Sequence, residues 1–119
     1  MKESYTLTKG ALIVKLAGEL DQHAAVGLRS ELDKKICAGC DNMIFDLSEL
    51  EFMDSSGIGV IIGRYKNITA LGGMLVIAAP RPGVERIIRL SAIDKIIPVC
   101  GSLSAAMLAM ESKGVGVNG

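Results

Sequence analysis

Asp54-Ser55-Ser56 sets a carboxylate and two hydroxyls on consecutive residues, with Gly57 and Gly59 close behind. Such groups suit nucleophilic attack by an activated serine, acceptance of a phosphate, or simple capping of a helix. Nucleophilic catalysis fails on spacing. A nucleophile elbow reads G-x-S-x-G, and the residues two places either side are Met53 and Gly57 for Ser55, Asp54 and Ile58 for Ser56. His23 is the only histidine, and beside Asp21 at a helix start it reads as solvated or capping, not as a general base. Gly57-x-Gly59-x-x-x-Gly63 resembles a dinucleotide loop loosely. It fails on context: Ser48–Met53 stands between strand and glycines, no ribose-binding acid follows Ala78-Ala79, and no Walker A lysine follows the glycines. Cys37-Ala-Gly-Cys40 has C-x-x-C spacing but falls where a helix should end, away from the positive pole that activates a thiol. No second C-x-x-C is present to complete a zinc site. The residues predict no enzyme, no cofactor and no metal.

Elements must hold the serines in place. Met43-Ile44-Phe45-Asp46-Leu47 is an apolar run that predicts a buried strand, while Ile58, Ile61, Ile62, Tyr65 and Ile68 recur as one helix face. Asp54-Ser55-Ser56 lies at the join, where the first backbone N–H groups of a helix lack partners and the dipole is positive. A phosphate here adds about −1.5 to −2 charges. The helix end tolerates it and Asp54 opposes it, so modification is expected to change what the surface binds more than whether the domain folds. Gly57, Gly59 and Gly63 each cost a helix about 1 kcal/mol relative to alanine. Close approach of another backbone is the usual reason, and it is either the chain's own sheet or a partner.

Tyr5–Thr8 and Ala11–Ala17 flank Lys9-Gly10 as a β-hairpin. Gly18-Glu19-Leu20-Asp21 follows, and Asp21 is placed to cap a helix faced by Ala25, Leu28, Leu32 and Ile36. Met74–Ala79 is a third apolar run, and Pro80-Arg81-Pro82-Gly83 marks a turn and a helix start with Val84, Ile87 and Ile88 inward. Ile96–Val99 is expected as a last strand, at an edge because Pro98 has no N–H. Ser102 can cap a final helix carrying Leu103, Ala106, Met107 and Met110. The pattern is α/β: one domain over residues 1–112 with a mixed sheet, an N-terminal hairpin and about four helices, then a disordered tail over 113–119.

With 119 residues, half of them apolar, and no net charge, one globular domain is the expectation. Balanced charge and only two tyrosines and two phenylalanines argue against a nucleic-acid footprint. No apolar run reaches the ~18 residues of a membrane span. Met1-Lys2-Glu3-Ser4-Tyr5 lacks a secretory segment, and three cysteines, an odd number, fit reduced thiols; a cytoplasmic protein is expected.

Gly18-Glu19-Leu20-Asp21, Ile44-Phe45-Asp46-Leu47, Phe52-Met53-Asp54-Ser55-Ser56-Gly57-Ile58-Gly59-Val60 and Gly72-Gly73 together resemble bacterial anti-anti-sigma factors, the STAS domain, over about Thr6 to Met110. Gly63-Arg64-Tyr65-Lys66 is similar to the sporulation members, although Asp21-Gln22-His23 departs from their Asp-His-His. The resemblance implies a switch. An unmodified protein binds an anti-sigma factor that is also a serine kinase and so releases a sporulation sigma factor; phosphorylation of Ser55 ends binding, and a phosphatase restores it. The kinase brings its own ATP or ADP and magnesium, and neither nucleic acid nor membrane is a partner. Glu19, Asp21, Asp54, Ser56, Gly57, Ile58 and Gly59 are the implied partner-binding residues, with Ile58 an apolar anchor if exposed and Asp21 and Asp54 equally suited to capping. Alternatives are a STAS regulator of the general stress response or of lipid transport, and a nucleotide-binding protein using the glycine-rich loop.

Overall fold

The computed structural model describes residues 1–118, with side chains described for 1–111. Its strands are β1 (Lys2–Leu7), β2 (Leu12–Leu20), β3 (Met43–Met53), β4 (Leu75–Ala78) and β5 (Val99–Cys100). The helices are α1 (Gln22–Cys37), α2 (Ser55–Ala70), α3 (Pro82–Leu90) and α4 (Leu103–Asn118), with a 3₁₀ turn at Ile93–Lys95. Strands lie in the sheet in their order along the chain, β1-β2-β3-β4-β5. β1 pairs antiparallel with β2 and every other pair is parallel, so the sheet is mixed and opens with the expected hairpin. The tail expected over 113–119 lies outside the residues whose side chains are described.

Two apolar layers sandwich the sheet. On one face Val14, Leu16, Phe45, Leu47 and Ile77 meet Leu28 and Leu32 of α1, Ile61 and Ile68 of α2, and Val84 and Ile88 of α3. The other face is thinner: Ile13, Ile44, Val76 and Ala78 pack against Ala106 and Met110 of α4. Successive strand residues point to opposite faces, which is how one run such as Ile44-Phe45 feeds both layers. Burial on both faces explains why β3 and β4 begin as continuous apolar runs without polar alternation.

Three strands differ from the pattern read above. β1 starts at Lys2, three residues ahead of Tyr5, because Lys2, Glu3 and Ser4 also pair with β2. β3 continues through Ser48–Met53, because Ala17, Gly18, Glu19 and Leu20 of β2 pair with Glu49, Leu50, Phe52 and Met53. A local apolar run cannot reveal that neighbour. β5 is shifted from Ile96–Val99 to Val99–Cys100, since Ile93–Lys95 coils first and Pro98 contributes only its carbonyl, which accepts from the Ile77 N–H at 3.0 Å. The edge position holds. In α2 the buried stripe includes Val60 and Arg64, whereas Ile62 and Tyr65 are half-buried; in α4 Ala106 and Met110 are buried while Met107 is partly exposed.

Candidate functional site

β2 and β3 end side by side at the carboxyl edge of the sheet. Glu19 pairs with Phe52 and Leu20 with Met53, and the Asp54 N–H donates to the Leu20 carbonyl at 3.4 Å. Both strands then turn directly into helices, each capped by an aspartate in extended conformation. Asp21 accepts from the Ala24 N–H at 2.9 Å and Asp54 from the Ser56 N–H at 2.9 Å. Each cap is worth about 1 kcal/mol, so both acids have a structural role whatever else they do. The parallel register of β2 and β3 brings the two helix starts together, and with them the implied residues Glu19, Asp21, Asp54, Ser55, Ser56 and Gly59.

Ser55 is the first residue of α2 and is exposed. Asp54 already supplies the cap, so the serine hydroxyl is not needed for it. Ser56 is half-buried, and its N–H is the group the cap holds. The hydroxyls therefore differ in access although they are neighbours.

The glycines divide. A Cβ on Gly57 would lie 2.5 Å from Met53 Cγ and 2.9 Å from Leu20 Cδ2, so this glycine lets α2 begin hard against the strand ends of its own sheet. Gly59 is exposed with nothing within 4 Å of a Cβ, and Gly63 also faces open space. Close packing inside the chain thus explains Gly57 and leaves Gly59 without an internal reason. Ile58 is 8% exposed and belongs to the main core, so it is not an exposed apolar anchor. Gly57 and Ile58 act from beneath the surface, by fixing where Ser55 and Gly59 stand.

Phe52 does not stand out by residue type, yet it is 47% exposed beside Glu19. Its signal was the alternation Phe52 out, Met53 in, which requires that Ser48–Met53 be a strand. His23 is exposed in the first turn of α1. Cys37 ends α1 and is exposed; Cys40 is half-buried, donates to the Asn42 carbonyl at 3.4 Å, and has its thiol pKa pushed up by burial. That shift is opposite to thiol activation. Among the described residues no group of three His, Cys, Asp or Glu side chains is arranged to hold a metal ion, and no helix is long and apolar enough to cross a membrane.

Comparison with known proteins gives a consistent family. The STAS domain model matches residues 4–106. An anti-sigma F factor antagonist of Paenibacillus polymyxa is 39% identical over 104 residues, spanning 87% of this chain and 89% of the relative. Among solved structures, the anti-sigma factor antagonist SpoIIAA in its unphosphorylated form superposes with a TM-score of 0.82 at 26% identity, covering 93% of this chain and 97% of SpoIIAA. The phosphorylated form of the Bacillus cell fate determinant SpoIIAA gives a TM-score of 0.72 at 26% identity, covering 89% of this chain and 96% of that one. A single domain of this topology, matched over most of its length, belongs to the STAS domain family.

Proposed function

We propose that this chain is an anti-sigma factor antagonist controlled by phosphorylation of Ser55: a regulatory binding protein of the cytoplasm, not an enzyme. Unmodified, it binds an anti-sigma factor that is a serine kinase, and so frees a sporulation sigma factor; a serine phosphatase returns the modified form to the binding state. One observation carries the reading. Ser55 is an exposed hydroxyl at the first position of α2 whose neighbour Asp54 does the capping, so the serine is accessible and dispensable for the fold. The relatives add support, since one is an anti-sigma F factor antagonist and SpoIIAA has been solved in both phosphorylation states.

The chemistry of transfer explains why a phosphate would release the partner. To accept a phosphoryl group, Ser55 Oγ must reach the γ-phosphate of the kinase's magnesium–ATP in line with the leaving oxygen. A phosphoserine in that position crowds and repels the phosphates of the nucleotide that remains bound. Glu19, Asp21, Asp54, Ser56 and Gly59 surround the acceptor and are the proposed contact surface, with Gly57 and Ile58 supporting it from below.

The test is incubation with candidate kinases, ATP and magnesium, followed by mapping of the phosphate by mass spectrometry. Incorporation at Ser55, with loss of kinase binding afterwards, is the expected result. Label on Ser56, or a phosphorylated chain that binds the kinase as tightly as Ser55→Ala, would overturn the proposal.

A further inference from the structure

We infer that Phe52 is the apolar anchor of the partner interface, seated in a socket on a basic protein surface. The inference rests on the antagonist function proposed above and names the chemistry of the partner's docking face. Leu50 and Met53 both point into the main core although they are three residues apart. The register accounts for this: Gly18 pairs with Leu50 and Glu19 with Phe52, so Glu51 is an extra residue with no partner in β2. Such a bulge re-aims the side chains after it. Met53 is thereby turned inward and Phe52 is turned out, to the sheet face opposite α1 and α2.

About half of Phe52 stays open to solvent there. The buried side chains of α4 pack on Ile13, Ile44, Val76 and Ala78, and Ala78 pairs with Asp46, well short of Phe52 along β3. A phenyl ring 47% exposed at a strand end leaves substantial apolar surface in water. Its surroundings are acidic. Glu19 is its cross-strand neighbour and Glu51 precedes it, both exposed and neither in an ion pair among the described residues. Two bases are engaged elsewhere, Lys15 with Glu49 and Arg81 with the Ser48 carbonyl.

An aromatic centre within a charged rim is the usual anatomy of a binding hot spot, and the sign of the rim selects the occupant. Nucleic acid and anionic membrane carry the wrong charge. A protein surface with Lys or Arg around an apolar socket fits. Phe52 and Ser55 are three residues apart, so their Cα atoms lie within about 11 Å and one partner can engage both. The division of labour is then clear: Phe52 holds the complex, the acidic rim speeds encounter, and Ser55 switches it.

The experiment titrates variants into the kinase that phosphorylates Ser55, with ADP and magnesium present. Phe52→Ala is expected to raise Kd at least tenfold through faster dissociation, with Phe52→Leu between it and the wild type and the thermal midpoint of each variant close to wild type. Glu19→Gln with Glu51→Gln is expected to slow association and flatten its dependence on salt. If Ser55→Asp weakens binding while Phe52→Ala binds within twofold of wild type, the anchor is wrong and the antagonist function stands. If no anti-sigma factor kinase binds the wild-type chain, both are wrong.

Discussion

At the start of α2 the capping falls to Asp54, which holds the Ser56 N–H and leaves the neighbouring Ser55 exposed. Ser55→Ala is therefore expected to change unfolding free energy by less than about 0.5 kcal/mol, as exposed substitutions do. It should also abolish phosphate incorporation and bind the kinase as well as unmodified wild type. Ser56→Ala should retain measurable incorporation; Asp54→Ala should cost about 1 kcal/mol in a denaturant titration from the lost cap. Gly59 carries a sharper expectation. Its Cβ direction is open, so Gly59→Ala should stabilise the fold by up to about 1 kcal/mol while weakening kinase binding measured by calorimetry. A stabilised variant with unchanged affinity would remove Gly59 from the contact surface. Gly57→Ala should destabilise, since Met53 and Leu20 occupy the space. The sequence shows three glycines in one helix and cannot separate these cases, because what distinguishes them is the neighbouring strand end. Asp54 and Asp21, by contrast, were legible as caps from residue type and position alone.

Between helices the notable contact joins α1 to α2. Arg64 is 8% exposed, and its Nε lies 3.3 Å from Asp33 Oδ1. The charges attract, but the direction is wrong for a hydrogen bond, and Nε and Nη1 are buried without one. Removing the carboxylate strands a cation in a poorly hydrated place, whereas removing the cation leaves a half-exposed acid that water can serve. Asp33→Ala is expected to cost roughly 1–3 kcal/mol, below the 3–5 typical of a fully buried pair because Asp33 is itself half exposed. Arg64→Met should cost less than Asp33→Ala, and adding it to Asp33→Ala should recover part of the loss; urea titration of the three variants decides it. The helices were legible from their periodicity, and α2 begins where Asp54-Ser55 indicated. Arg64 was not, because a basic residue on a helix reads as solvated until the partner helix is known. The second half of β3 escaped for a similar reason: Ser48-Glu49-Leu50-Glu51 looks like a loop until β2 lies beside it.

For the molecule as a whole, the proposed modification would fall on a helix end at the rim and not in either apolar layer. Phosphorylated and unmodified protein should therefore unfold within about 1 kcal/mol of each other, the scale of an exposed charge at a helix terminus. A loss of several kcal/mol on phosphorylation would mean that release works by unfolding. The sheet's strand order has a further consequence, for the birth of the protein. Because the strands stand in the order in which they are made, each one emerging from the ribosome finds its neighbour already there. Leu20, Met53 and the first turns of α2 come from the first two thirds of the chain, so the strand ends around Ser55 can assemble before β5 and α4 have been translated. A regulator needed at once, in a cell changing its transcription, would have its working edge assembled ahead of its tail.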